Sequence, residues 1–185
     1  MRTFIAIDLS PEIKNRLTAS VRLLKPVATG IKWVAPDNYH LTLKFIGEVA
    51  QERIEVIKAV LDEVARKHLR FALTVRGSGS FPPGQSRMRV IWVGFEAGPE
   101  LFSLQSDLET ALEQEGFPRE ERAFSPHLTI GRAREPQKQE RLKTELDKLG
   151  QQEFGTMEVE EIELFQSILR PEGPEYRIVS RHHLK

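Results

Sequence analysis

Two histidines in this chain of 185 residues sit in nearly the same tetrapeptide, His40-Leu41-Thr42-Leu43 and His127-Leu128-Thr129-Ile130. In an extended strand, side chains alternate between faces, so His and Thr share one face and the intervening apolar residues take the other. Each strand then offers an imidazole beside a hydroxyl, with a hydrophobic back that can enter a core. Two such strands facing each other supply two groups that titrate near neutrality and two hydroxyl donors around one small anion. Acid/base cleavage of a phosphodiester requires such a set. The plainer alternative is a pair of half-buried strands whose polar faces happen to repeat, since Thr is a good strand former in any setting.

A 2',3'-cyclic phosphate at the end of an RNA illustrates the demand. In-line attack by water on phosphorus, opposite a departing ribose oxygen, wants a base on one side and an acid on the other. One neutral and one protonated imidazole fill those roles, and the hydroxyls of Thr42 and Thr129 would donate to the non-bridging oxygens as charge grows there. No metal and no cofactor are needed. A competing reading makes His40 and His127 zinc ligands, but three or four protein ligands are usual. The chain has no cysteine and no His-Glu-x-x-His pattern, and the adjacent pair His182-His183 has poor geometry for one metal. His68, ending a helical pattern, reads as a C-terminal charge partner or an exposed residue, and His182 and His183 read as tail residues.

Composition narrows the setting. Lysine plus arginine equals aspartate plus glutamate, 27 each. The overall positive field that drives non-specific nucleic-acid binding is therefore missing. Any RNA is expected to be gripped locally, with candidate charges at Arg87 and Arg89, Arg119 and Arg122, and Arg132 and Arg134. Absence of cysteine leaves no disulfide and no thiolate nucleophile. Met1-Arg2 runs directly into the alternating segment Thr3 to Leu9 without a signal-peptide core, and no stretch is apolar enough to span a membrane. The expectation is a soluble, cytoplasmic protein.

The elements that must position the motifs are also readable. Ser10 and Pro11 form an N-cap and first-turn pair ahead of a stripe of Ile13, Leu17, Val21 and Leu24. Further helical stripes run through Ile54, Ile57, Leu61 and Val64; through Leu101, Leu104, Leu108 and Leu112; and through Leu142, Leu146 and Leu149. Strands are expected over 3–9, 31–34, 40–46, 71–77, 89–95, 127–132, 157–167 and 176–180. Ser78 to Met88 reads as a surface loop, either bordering a site or merely connecting. A strand-helix pattern met twice, with the motif in corresponding places, predicts an α+β chain of two similar lobes with a groove between them.

The flanks of the motifs carry a resemblance. Asn38-Tyr39-His40-Leu41-Thr42-Leu43-Lys44-Phe45-Ile46-Gly47 and Phe124-Ser125-Pro126-His127-Leu128-Thr129-Ile130-Gly131-Arg132 resemble the two signature segments of the two-histidine (2H) phosphoesterases. Within these, the chain is most similar to the RNA 2',3'-cyclic phosphodiesterase family, also called 2'-5' RNA ligases. The similarity extends to Arg2-Thr3-Phe4-Ile5-Ala6-Ile7, to Phe81-Pro82 and Arg89 to Gly94, to Glu163 to Ser167, and to Gly173 to Tyr176.

The resemblance implies one domain over residues 1–185, bilobal and α+β, with a pseudo-symmetric antiparallel sheet in each lobe and the motifs facing across the groove. It implies metal-independent hydrolysis of a 2',3'-cyclic phosphodiester to a 2'-phosphomonoester. By motif position His40 becomes the proton donor and His127 the proton acceptor, Thr42 and Thr129 contact phosphate oxygens, and Arg132 contacts substrate. Simple alternation places Arg132 opposite His127, so that role requires a bulge, expected at Gly131. The implied partners are RNA ends with a 2',3'-cyclic phosphate, or small cyclic nucleotides, bound by a monomer. Other readings are a phosphodiesterase for a small nucleotide such as an ADP-ribose cyclic phosphate, a ligase running the reaction backward, or a non-catalytic RNA-end-binding module.

Overall fold

The computed structural model describes residues 1–185. In chain order the elements are β1 (Arg2–Asp8), α1 (Pro11–Leu24), β2 (Ile31–Trp33), β3 (His40–Glu48), α2 (Ile54–Ala65), β4 (Phe71–Phe81) and β5 (Val90–Ala97). They continue with α3 (Pro99–Gln114), β6 (His127–Ala133), α4 (Glu140–Lys148), β7 (Glu153–Val159), β8 (Glu161–Arg170) and β9 (Gly173–His183). The strands form two antiparallel sheets, ordered β3-β1-β8-β9 and β2-β6-β5-β4-β7. Each sheet buries one face under two helices, which gives the bilobal α+β architecture its two cores.

The four expected helices are present, and their stripes are the buried faces. The hydroxyl of Ser10 accepts the amide N–H of Ile13 at 3.4 Å, with Pro11 opening α1. Ile13, Leu17, Val21 and Leu24 then pack on Val75, Ile91, Val93, Leu128 and Ile130 of the second sheet. Each such side chain contributes about 1.5–3 kcal/mol on burial.

The lobes are not the two halves of the chain. Helix α1 follows a strand of the first sheet yet packs beneath the second with α4, and α3 follows a strand of the second yet packs beneath the first with α2. This exchange ties the sheets together, and the motif strands β3 and β6 come side by side where they meet.

Two expectations about elements change. The run 157–167 is not one strand: it splits at Glu160 between β7 in the second sheet and β8 in the first. Side-chain alternation is indifferent to which sheet a residue pairs in, so it cannot mark such a switch. The segment 78–88 contributes its first four residues to β4, and none of it lines the groove between the lobes. Its remainder serves as a connector tied to the start of α4, where Gln139 donates its amide N–H to the Ser86 carbonyl at 3.0 Å. No helix is long and apolar enough to cross a membrane.

Candidate active site

The two motifs share a backbone irregularity. Along β1, Ala6 faces Thr42 and Ile5 faces Lys44, which leaves Leu43 as an extra residue. Along β5, Trp92 faces Thr129 and Ile91 faces Gly131, which leaves Ile130 extra. Each motif therefore bulges at its fourth residue. A bulge shifts the alternation by one. Leu43 with Lys44, and Ile130 with Gly131, are consecutive buried pairs, and the next residues, Phe45 and Arg132, turn back to the face that carries His and Thr. Arg132 thus lines the groove with His127 and Thr129, through a bulge one residue earlier than expected. At Gly131 itself the constraint is space: a Cβ there would meet the Ile31 side chain at 2.9 Å and the Trp33 ring at 3.1 Å.

Each imidazole has a polar partner two residues away in the chain. The Nδ1 of His127 lies 2.7 Å from the carbonyl oxygen of Ser125, two residues before it. With its Nδ1–H spent on that carbonyl, His127 offers Nε2 to the groove. The Asn38 backbone, two residues before His40, favours the charged form of that ring. The Nε2 of His40 lies 3.0 Å from the Thr42 hydroxyl.

The environments of the two rings differ. His127 is exposed. His40 sits in an aromatic cup, its ring 4.8 Å from Phe4, 5.9 Å from Phe165 and edge-on to Tyr176 at 5.2 Å. Burial lowers its pKa from the ordinary 6.5 to about 4, against the opposing pull of the Asn38 carbonyl and of Asp8, its cross-strand neighbour. Because the unfolded chain then binds the proton more readily, His40 subtracts stability as pH falls from 6.5 to about 4, and subtracts nothing above 6.5. An NMR titration of the free protein is expected to show a His40 midpoint near 4 that moves upward in saturating inorganic phosphate, whose charge favours the imidazolium. A free-protein midpoint at or above 6.5 would remove the aromatic cup from the argument.

The groove holds about 940 Å³, with both histidines and both threonines on its walls. The guanidinium of Arg2 lies 5.0 Å over the ring of Phe45, a cation–π arrangement at the groove's edge. The Tyr176 phenol is pushed up by burial and pulled back by the charges of Arg2 and Arg132, one from each sheet. Of the other candidate arginines, only Arg122 lines the groove. Arg119 pairs with Glu113 at 3.1 Å, and Arg87 is held in a backbone bridge with Lys138.

Phe4, Arg2, Phe45, Phe165 and Tyr176 were not singled out as site residues from the sequence. Alternation along β1 carries a signal for two of them, since Arg2 and Phe4 share a face with Ala6. The remaining histidines lie elsewhere. His68 pairs with Asp107 of α3 at 2.9 Å. His182 is not a tail residue: it is 3 % exposed within β9, its Nδ1 2.6 Å from Asp62 and its Nε2 2.8 Å from the Ser180 hydroxyl. Pairing of β9 with β8 carries the chain past it, which a run of polar residues near the C-terminus did not signal. His183 pairs with Glu161 at 3.2 Å. No three His, Asp or Glu side chains converge as a metal-binding group.

Comparison with known proteins places the chain in a family. A family model described as the 2'-5' RNA ligase superfamily matches residues 9–168. An RNA 2',3'-cyclic phosphodiesterase of Methanothermobacter thermautotrophicus is 37% identical over 177 residues, 95% of each chain. One from Thermotoga maritima is 37% identical over 182 residues, 97% of this chain and 93% of that one. Among solved structures, TT0787 of Thermus thermophilus superposes with a TM-score of 0.80 at 29% identity, covering 100% of this chain and 98% of that one. E. coli LigT complexed with 3'-AMP gives a TM-score of 0.76 at 25% identity, covering 99% and 97%.

Proposed function

Because the chain belongs to the 2'-5' RNA ligase superfamily, we propose that it hydrolyses 2',3'-cyclic phosphate ends of RNA to 2'-phosphomonoesters, with His40 and His127 as its acid and base. The observation that carries this reading is the paired orientation of the rings. His127 spends Nδ1 on the Ser125 carbonyl, His40 sets Nε2 beside the Thr42 hydroxyl, and both rings face one groove.

In the proposed reaction, water attacks phosphorus in line with the 3' oxygen of the ribose. Nε2 of His127 takes the water proton as the new P–O bond forms. The P–O3' bond breaks, and O3' receives a proton from Nε2 of His40. Thr42 and Thr129 donate to the non-bridging oxygens, and Arg132 supplies positive charge beside them. The turnover leaves His127 protonated and His40 neutral, and exchange with solvent restores the pair.

Burial of His40 sets one condition on this scheme. At neutral pH the free protein holds that ring deprotonated, since its pKa is about 4. The phosphodiester anion, seated against it, stabilises the imidazolium and brings the proton to the donor only when substrate is present. An RNA 5'-hydroxyl in place of water would run the same steps toward a 2'-5' linkage. That alternative shares the dyad and is distinguished by product.

The deciding experiment uses a short RNA ending in a 2',3'-cyclic phosphate, incubated with the protein and EDTA, with the terminal product identified. A 2'-monophosphate formed at a chelator-independent rate is expected. A 3'-monophosphate would exchange the leaving oxygen. Loss of activity on stringent chelation with recovery on added zinc would falsify the metal-free assignment and make the histidines ligands.

A further inference from the structure

The two motif strands are held in place by different means. β6 has a strand on each side, and the carbonyl of its bulge residue Ile130 accepts the amide N–H of Val34 at 2.9 Å, just past β2. β3 is an edge strand. The carbonyl of its bulge residue Leu43 instead accepts from the side-chain amide of Gln105 on α3, at 3.4 Å. One helical turn further along α3, Glu109 accepts at 2.6 Å from Lys44, the residue directly after the bulge. The two side chains are only 5% and 3% exposed. Gln105 also donates to the other oxygen of Glu109 at 3.3 Å.

The same pair reaches the approach to the second motif. Lys44 donates to the carbonyl of Pro118 at 2.8 Å, and Glu109 accepts the amide N–H of Glu120 at 3.2 Å. From there the chain runs through Phe124, packed edge-on against Phe102 of α3 at 5.8 Å, to Ser125, whose carbonyl fixes the His127 ring. The second motif has no equivalent network. Gly131 stands where Lys44 stands in the first motif, and β2 leaves no room there for a side chain.

A buried ion pair adds little stability over an apolar pair of similar volume, but it demands a defined geometry of the groups around it. We propose that Lys44, Glu109 and Gln105 are positioning residues for the acid/base dyad. They set the bulge that aims the first motif and hold the segment that orients His127. This rests on the dyad reading of the site above.

The informative variant is Lys44→Met with Glu109→Leu, which removes both charges and leaves neither stranded. Its melting temperature is expected near native, while kcat on the cyclic phosphate end falls about 10- to 100-fold with KM little changed, as for misplaced catalytic groups. Combined with His127→Ala, the double replacement is expected to cost little more, because once one member of the dyad is gone the placement of the other matters little.

Native kcat in the folded double variant, a change confined to KM, or a full additive loss in the His127→Ala background overturns the proposal. If the double variant does not fold, Gln105→Met removes the amide to Leu43 without stranding a charge. A several-fold fall in kcat is then expected, and native kcat overturns the proposal. Failure of the dyad reading shows separately, as native turnover in His127→Ala alone.

Discussion

His40→Ala and His127→Ala are each expected to lower turnover of a 2',3'-cyclic phosphate end by roughly 10²- to 10⁴-fold while the fold persists, since under the proposed mechanism each deletes one proton-transfer group. His127 is exposed, so its loss leaves the core untouched. His40→Ala opens a gap among Phe4, Phe165 and Tyr176 but also removes a group whose charged form the site disfavours. The double variant should be only slightly worse than the poorer single, because both transfers serve one step. Leaving-group dependence separates the two roles. With a p-nitrophenyl phosphodiester, whose departing oxygen needs no proton, the His40 variant should lose much less and the His127 variant about as much as on RNA. The reverse pattern exchanges donor and acceptor. Near-native turnover in either single variant, with folding verified by circular dichroism, removes that histidine from the chemistry.

In the proposed mechanism two nearly identical tetrapeptides take opposite roles because their environments differ. The aromatic cup makes His40 reluctant to hold a proton until an anion arrives, and His127 stands in the open, tied only to the Ser125 carbonyl. The cup also gives the enzyme a reason to be selective. A neutral ligand brings no charge to stabilise the His40 imidazolium and so does not arm the acid.

Much of this site was legible because its central information is local. His and Thr two apart on a strand must share a face, and the repeat supplies both walls of the groove. The need for a bulge beyond the second motif was also legible, since Arg132 would otherwise point away from His127. Its place at Ile130, and its twin at Leu43, depend on pairing with β5 and β1 and appear only in the register. The cup around His40 was hidden for the same reason: Phe4, Phe165 and Tyr176 come from β1, β8 and β9, far apart along the chain. Helical stripes announced that α1 and α3 each bury a face, but not that each buries it under the other sheet. Nothing local in the sequence pairs Lys44 with Glu109, 65 residues apart; their contact appears only once α3 packs against the edge strand β3.

Thr42→Val and Thr129→Val test the remaining walls of the site. Valine keeps the branched shape and the strand preference but cannot donate to a phosphate oxygen. If the hydroxyls meet the non-bridging oxygens as charge accumulates, each substitution costs on the order of 1 to 4 kcal/mol of transition-state stabilisation, seen mainly in kcat. The two should not be equal. In the free protein Thr42 is already engaged with Nε2 of His40 at 3.0 Å, so Thr42→Val also frees the acid's ring, whereas Thr129→Val leaves the Ser125 anchor of His127 intact. The larger loss is therefore expected at Thr42, with an altered His40 titration that Thr129→Val does not produce. Both residues are half-buried strand positions, and their melting temperatures should stay close to native. A large fall in melting temperature with normal turnover would make the hydroxyls structural and leave the phosphate oxygens to Arg132 and its neighbours.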